Sequence, residues 1–324
     1  MKKIISIALV LCMIFCLAAC GSKTGSLHLV SLDDAHADAL IAASPYYAKS
    51  TIAKDVYGTE SDAKTVAVAA MILVSNDASE DAVYNFLSTI FNNKDAITQA
   101  HAKGGALDVN FATSVTSVPF HPGAAKFYAE QGIDVASSGL SGSDDLSNAT
   151  FVTGGESGTY YAYGTVLAQY VSNNTDMNIT AVSGNGSKAN IEDIDAGTAV
   201  LGFCQSDVMS YGYAGSNLFD SAYQSFSCVA ALYMEEVQIA TLNDSISTVA
   251  DLKGKTVSVG AQGSGTYFNA VDVLGAYGLT IDDIKPVYQS FGDSAESIKD
   301  GKIDAAFIVA GAPTTAISDL AVSK

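Results

Sequence analysis

The feature that most constrains this chain is a module written twice. The strand-like run "ATFVTGG" leads into Ser157-Gly158-Thr159-Tyr160, and 107 residues on "KTVSVGAQG" leads into Ser264-Gly265-Thr266-Tyr267. In both copies apolar residues then recur at helical spacing, over 159–172 and 266–277. A strand and a glycine turn follow, "NITAVSGNGS" and "KPVYQSFGDS", then a short helix and a closing strand within "IDAGTAVLGFCQSD" and "IKDGKIDAAFIVAG". Gly197 and Gly301 stand at the helix stops, 40 and 37 residues after Ser157 and Ser264. Strands joined by helical crossovers run parallel, so the repeat predicts two α/β lobes. Ligands of such sheets bind beyond the strand C-termini, where both Ser-Gly-Thr segments open their helices.

At a helix start, unpaired N–H groups and the positive end of the dipole attract an anion. The hydroxyls of Ser157, Thr159, Ser264 and Thr266 add donors. One copy alone reads as a routine N-cap; two at matched positions predict a ligand site. All 16 basic residues are lysine, so the bidentate guanidinium clamp for a carboxylate is absent. Hydroxyls and backbone amides become the leading way to hold a carboxylate.

The first twenty residues carry two lysines, an apolar run from Ile4 and small residues before Cys20. "LAAC" followed by Gly21 resembles a bacterial lipobox, which predicts removal of 1–20, a lipid on Cys20 and a short tether over 21–25. An ordinary signal peptide or a spanning helix is the competing reading. The longest later apolar run, "VAVAAMILV" from Val66, suits a buried strand, not a membrane span. Without the leader the chain has 14 lysines against 34 acids, a formal charge of −20, which makes nucleic acid and anionic lipid surfaces poor partners. Cys204 and Cys228 could pair, but each sits in an apolar strand-like run and reads equally as a small buried residue.

Other motifs carry less. Gly254-Lys255-Thr256 lacks the upstream glycine of a phosphate loop, where Val249 stands, and runs into a strand. "SGNGSKA" fits a dinucleotide fingerprint only weakly and is read as a structural turn. Neither Ser157 nor Ser264 has the flanking glycines of a nucleophile elbow. His28, His36, His101 and His121 show no ligand spacing, so neither a metal nor a cofactor is expected. Ser79 is a plausible cap for an amphipathic helix with Val83, Phe86, Leu87, Ile90 and Phe91 on its core face.

Across most of the chain, "GGESGTYYAYGTVLAQ", "GFCQSDV", "AALYMEEVQIA", "DLKGKTVSVGAQGSGT" and "GKIDAAFIVAGAPT" resemble successive segments of the TAXI class of TRAP-transporter solute receptors. "PYYAKSTI", "TVAVAAMILV", "EDAVYNFLSTIF" and "PFHPGAAKFYAEQGI" resemble segments that the family places last but that here come first. The order is that of a circular permutation, with "ASSGLSGSDDLSNA", 136–149, as a flexible tether between the old ends. The resemblance implies a two-lobed periplasmic-binding-protein type II-like α/β fold with a hinge and an interlobe cleft. Lobe I would span 65–236 unbroken, and lobe II would combine 26–64 with 237–324. The hinge crossings would lie near "MEEVQIA" and "DAKTVAV".

The function implied is an extracytoplasmic, lipid-anchored receptor that catalyses no reaction and delivers a small carboxylate or acidic amino acid, such as glutamate or 2-oxoglutarate, to a TRAP-type permease. The expected site takes Gly155, Ser157, Gly158, Thr159 and Tyr160 with Gln205, Ser206 and Asp207 from one lobe. Gly263, Ser264, Gly265 and Thr266 come from the other, with Ala310, Gly311 and Pro313 shaping the wall. Asp207 is expected to accept from a ligand ammonium, Tyr160 and Tyr267 are equally readable as packing residues, and Glu156 would repel an anion unless it faces solvent. The rival readings are a two-lobed enzyme, for which no nucleophile or acid–base pair is evident, and a ligand-sensing scaffold with no transport role.

Overall fold

The computed structural model describes residues 25–322. The expected leader 1–20, the lipidated Cys20 and the tether up to Lys23 and Thr24 lie outside the described residues. Two long antiparallel strands, β3 (Ala63–Ser75) and β7 (Phe226–Thr241), form the spine of one ten-stranded sheet. On one side of the spine β4 (Ala149–Val152) lies between β5 (Ile179–Val182) and β6 (Leu201–Gln205), all parallel, with β6 against β3. On the other, β8 (Thr256–Ser258) lies between β9 (Lys285–Val287) and β10 (Ala305–Ala310), also parallel, with β10 against β7. The sheet order is β5-β4-β6-β3-β7-β10-β8-β9, so the two copies of the module flank the spine as mirror-ordered triplets. Short β1 (His28–Leu29) and β2 (Ala48–Ile52) add to β7 and β3.

The repeat extends to its helix ends. In α7 (Ser187–Asp195) the N–H of Gly197 bonds Ile194 O and that of Thr198 bonds Asp193 O; in α10 (Phe291–Lys299) Gly301 bonds Ile298 O and Lys302 bonds Ser297 O. Both glycines are left-handed, φ +70° and +67°, where a Cβ would be strained. The earlier helices are α1 (Asp34–Ala43), α2 (Glu80–Phe91), α3 (Lys94–Ala100), α4 (Val109–Ala112), α5 (Pro122–Glu130) and α6 (Thr159–Asn174). Beyond α7 come α8 (Ser206–Ala214), α9 (Gly265–Ala276), then α10, and α11 (Thr315–Val322). Ser79 caps α2 through Ala82 N as expected, and Val83, Phe86, Leu87 and Ile90 are buried.

The apolar strand β3 is buried along nearly its whole length because both faces of the spine are covered. One core gathers residues from Ala69 to Tyr233 with Phe268, centred on Phe151 and Tyr160 stacked on Phe203 at 5.1 and 4.6 Å between centroids. Two further clusters line the faces of the β8–β10 side, one around Phe307 and Val257, the other holding Leu27, Ile308 and Leu320. Cys204 and Cys228 are free and fully buried, so they act as small core residues. Up to Ala149, where β4 begins, the segment from 136 has no helix or strand, yet it is not a free tether. Ser138 N bonds Phe120 O, Gly142 N bonds Ala78 O, and Leu146 is buried. Among the described residues no helix is long and apolar enough to cross a membrane.

Candidate functional site

The C-terminal ends of the two parallel triplets meet across the spine and enclose a cavity of about 80 Å³. A single water needs about 10–15 Å³ on the same measure, so the space suits a small molecule and excludes a polymer. Gly154, Gly155, Gly158, Thr159 and Tyr160 line it from one lobe, with Gly184, Asn185, Gly186, Ser187, Gln205 and Glu235. Ala261, Ser264, Gly265, Thr266, Ser290, Phe291, Val309 and Ala310 close it from the other.

Helix starts dominate this lining. The N-caps of α6, α7, α8 and α9 are Gly158, Gly186, Gln205 and Ser264, and none of the four helices has a side-chain cap. Away from the cavity, Asp33, Ser79, Asp108 and His121 do cap their helices. Ser290 on the same lining does cap α10 through Asp293 N, but Ser157, Thr159, Ser264 and Thr266 of the repeat are not spent on capping, which decides against the N-cap reading of the repeat. The starts of α6 and α9 aim two dipole ends at one small space, a field suited to an anion, whereas at α7 the Lys188 and Ala189 N–H groups are taken by Gly263 O and α8 carries Asp207 in its first turn. Among the lining residues there is neither lysine nor arginine.

Polar side chains complete the site. Ser264 and Gln205 are 7% and 2% exposed, and Ser264 Oγ and Gln205 Oε1 find no hydrogen-bond partner among the described residues. Glu235 is 2% exposed and accepts from Tyr160 OH at 2.9 Å and, more weakly, from Tyr233 OH at 3.4 Å. Burial pushes the Glu235 carboxyl up to about 8; the Tyr160 hydrogen bond opposes this, and nearby Asp207 and Glu236 reinforce it. Burial also raises the Tyr160 and Tyr233 phenols well above their usual range, so both remain donors.

Contacts across the cleft hold the lobes together. Thr159 Oγ1 donates to Gly311 O, Thr314 Oγ1 to Ser157 O, Lys103 Nζ to Ala312 O, and the Lys188 and Ala189 N–H groups to Gly263 O. Asn269 Nδ2 donates to Asp207 Oδ2.

Of the residues expected from sequence, Gly155, Gly158, Thr159, Tyr160, Gln205, Ser264, Gly265, Thr266 and Ala310 come together on the cavity. Ser157 does not line it and presents its carbonyl to Thr314 and Ala316. Ser206 Oγ accepts from Ala69 N instead. Asp207 is sealed behind the cavity on Asn269, not aimed at a solute, and burial pushes it up to about 7. Gly263 and Tyr267 line an outer groove, with Tyr267 against Tyr288. Gly311 and Pro313 lie off the cavity, Pro313 following a cis peptide bond. Glu156 is exposed, which removes its repulsion of an anion. Tyr160 both packs on Phe203 and faces the cavity.

Sequence reasoning missed Glu235, and it read the 184–187 turn as merely structural although it forms part of the wall. An acidic pair, Glu235-Glu236, inside an otherwise apolar strand was the available signal for the first. Among the described residues no group of three or more His, Cys, Asp or Glu could hold a metal ion.

Residues 16–132 and 151–324 match the NMT1-like family, and the chain belongs to that family. Two solved structures are similar in part. The alkanesulfonate-binding protein SsuA from Xanthomonas axonopodis pv. citri bound to MOPS is 21% identical over 50% of this chain and 54% of that one, with a TM-score of 0.35. The periplasmic aliphatic sulphonate binding protein SsuA from Escherichia coli is 21% identical over 50% and 53%, with a TM-score of 0.31. The chain thus spans about half the length of each.

Proposed function

We propose that this NMT1-like chain is an extracytoplasmic solute-binding receptor that captures a small carboxylate or acidic amino acid between its lobes and releases it to a TRAP-type permease. The observation that carries the reading is the convergence of the α6 and α9 N-termini, neither with a side-chain cap, on one cavity that also holds Ser264 Oγ and Gln205 Oε1, which have no partner among the described residues. Such a site binds and orients a small anion without a cation of its own. Membership of the NMT1-like family is consistent with it, and a lipid on Cys20 would hold the receptor at the membrane from outside.

The lobes are proposed as 65–236 and as 26–64 with 237–324. Glu236 supports that division, because it pairs with Ala67 on β3 and with Ala310 on β10, where β7 passes from one triplet to the other. A permuted segment order is part of the proposal. The family match breaks across 133–150, around the connector, and Leu27 and Leu320 share one hydrophobic cluster, which suits an origin in which these ends were joined.

The test is a thermal-shift panel of glutamate, glutamine, 2-oxoglutarate and succinate against the full chain. A ligand at a hundred times its Kd stabilises by about 2.7 kcal/mol, so a binder gives a clear rise in Tm. No rise with any small acid or amino acid would remove the receptor reading.

A further inference from the structure

Resting on the reading of the cavity as a solute site, we infer that Glu235 is its specificity residue: it reads an ammonium group, so the site selects a carboxylate that carries an amine over its nitrogen-free counterpart. Glu235 stands next to the crossing residue Glu236, and it lines the cavity while almost fully buried. A carboxylate offers about four lone-pair sites, and Tyr160 and Tyr233 occupy one on each oxygen. Gln205 lines the same cavity, its side chain helps hold the Glu235 carboxyl in the charged form, and its Oε1 has no partner among the described residues. Acceptors therefore gather at Glu235 and Gln205, while the helix starts at Gly158 and Ser264 present donors.

A zwitterion matches that division. Its carboxylate takes the N–H groups, and its ammonium, with three donors and no acceptor, meets the Glu235 carboxylate and the Gln205 carbonyl oxygen. A nitrogen-free dianion has no donor for Gln205 Oε1, and no lysine or arginine stands on the lining to receive its second negative charge. Lys103, the lysine drawn toward this side of the cleft, is engaged with Ala312 O and the Tyr233 ring. Burial holds the Glu235 carboxyl toward its neutral form until a cation arrives, so an ammonium is the group whose entry that carboxylate rewards most.

Isothermal titration calorimetry of the full chain with matched pairs tests this: L-glutamate against 2-oxoglutarate, and L-alanine against pyruvate. In at least one pair the amino member is expected to bind about tenfold or more tightly than the keto member, as for a site whose buried polar groups need their partner. Glu235→Gln keeps an acceptor for Tyr160 and is expected to erase that preference by weakening the amino member while leaving the keto member unchanged or tighter. The wild-type comparison stands alone if the variant fails to fold. A keto acid bound as tightly as its amino counterpart, or a variant that weakens both alike, would overturn the assignment of Glu235 and leave the receptor intact. Absence of binding by all four would overturn the receptor reading and this inference with it.

Discussion

Asn269 on α9 reaches across the cleft and donates through Nδ2 to Asp207 Oδ2 on α8 at 2.9 Å, with both residues fully buried. The same amide nitrogen donates to Tyr47 OH, which in turn donates to Asp272 Oδ2. Lobe contact is thus made through a carboxylate whose second oxygen, Oδ1, has no partner among the described residues. A charged carboxylate is costly there, so closing the cleft favours the protonated acid.

That cost makes stability depend on pH. Burial, then repulsion by Asp272, lifts Asp207 from 3.8 to about 7 against the pull of the Val208 N–H and Asn269, and burial lifts Glu235 from 4.5 to about 8. Between the ordinary and raised values the folded, closed protein holds protons that the unfolded chain has lost. Stability is therefore fully present below about pH 4 to 4.5 for these two groups and falls as pH climbs to about 7 and 8. The slope is at most about 1.4 kcal/mol per pH unit for each proton. Carboxyls held low, such as Asp33 beside the His36 N–H, titrate below this window and do not mask it. Burial lowers His101 and His121 below 6.5, so they oppose the trend only below that pH; melting curves from pH 6.5 to 8 should show Tm declining, and Asp207→Asn, which can still accept from Asn269, should flatten the decline and melt higher than wild type at pH 8. Parallel curves for the two proteins would count against this account.

Ser264 and Ser157 occupy the same place in the two copies but should respond differently to alanine. Ser264 Oγ is buried on the cavity with no partner among the described residues, so its removal costs the fold nothing and raises stability by up to about 1 kcal/mol. Ligand affinity should nevertheless fall roughly fivefold, the worth of about one hydrogen bond. Ser157 contributes its carbonyl to Thr314 and Ala316, which alanine retains, so Ser157→Ala should leave affinity within about twofold. Calorimetric affinities paired with melting temperatures separate the two, and equal losses at both positions would contradict the asymmetry.

The repeat was legible because its signals are local: helical spacing after a glycine turn, and glycines that must turn left-handed at 197 and 301. The unbroken apolar run from Val66 likewise announced β3, and its length fits burial on both faces. What remained hidden was orientation. At Ser157 the backbone carbonyl makes the cross-lobe contacts, and no pattern in "GGESGTYY" says so. Asp207 follows a strand end, as a ligand contact would, but Asn269 is 62 residues away and claims it first. Glu235 meets Tyr160 across 75 residues, so its role emerges only when β7 exchanges partners beside the start of α6.

Gly265 sets how closely the lobes meet. A Cβ there would collide with Gln205 Oε1 and crowd Ser187 Oγ at 2.8 Å, both on the opposite lobe. Its backbone is not left-handed, and alanine at a helix start costs no strain, so each lobe should fold as before. Gly265→Ala is expected to keep the wild-type circular dichroism spectrum, to enlarge the radius of gyration in small-angle scattering with ligand present, and to weaken ligand binding by about tenfold or more, since an interlobe site needs closure. Wild-type affinity in this variant would mean that Gln205 gives way and that cleft closure is not what Gly265 protects.

The connector 136–149 offers the sharpest test of the segment order. Gly139, Leu140 and Ser141 are exposed and carry no regular structure, whereas Gly142 touches the Asp77 carbonyl too closely to admit a Cβ and Leu146 is buried. A new chain end is therefore tolerable between Gly139 and Leu140 but not a few residues later. The ends Leu27 and Leu320 share a cluster with Ile52 and Ile308, so a short flexible linker can join them on one lobe. A variant that starts at Leu140, joins the present C-terminus to Ser26 and ends at Gly139 keeps every strand pairing of the spine. It should melt within a few degrees of the parent, because moving one loop closure changes chain entropy by only about 1 kcal/mol, and it should bind the same ligand with similar affinity. A variant that is insoluble or unfolded, beside a well-folded parent, would show that the connector shapes lobe I and is more than a join between former ends.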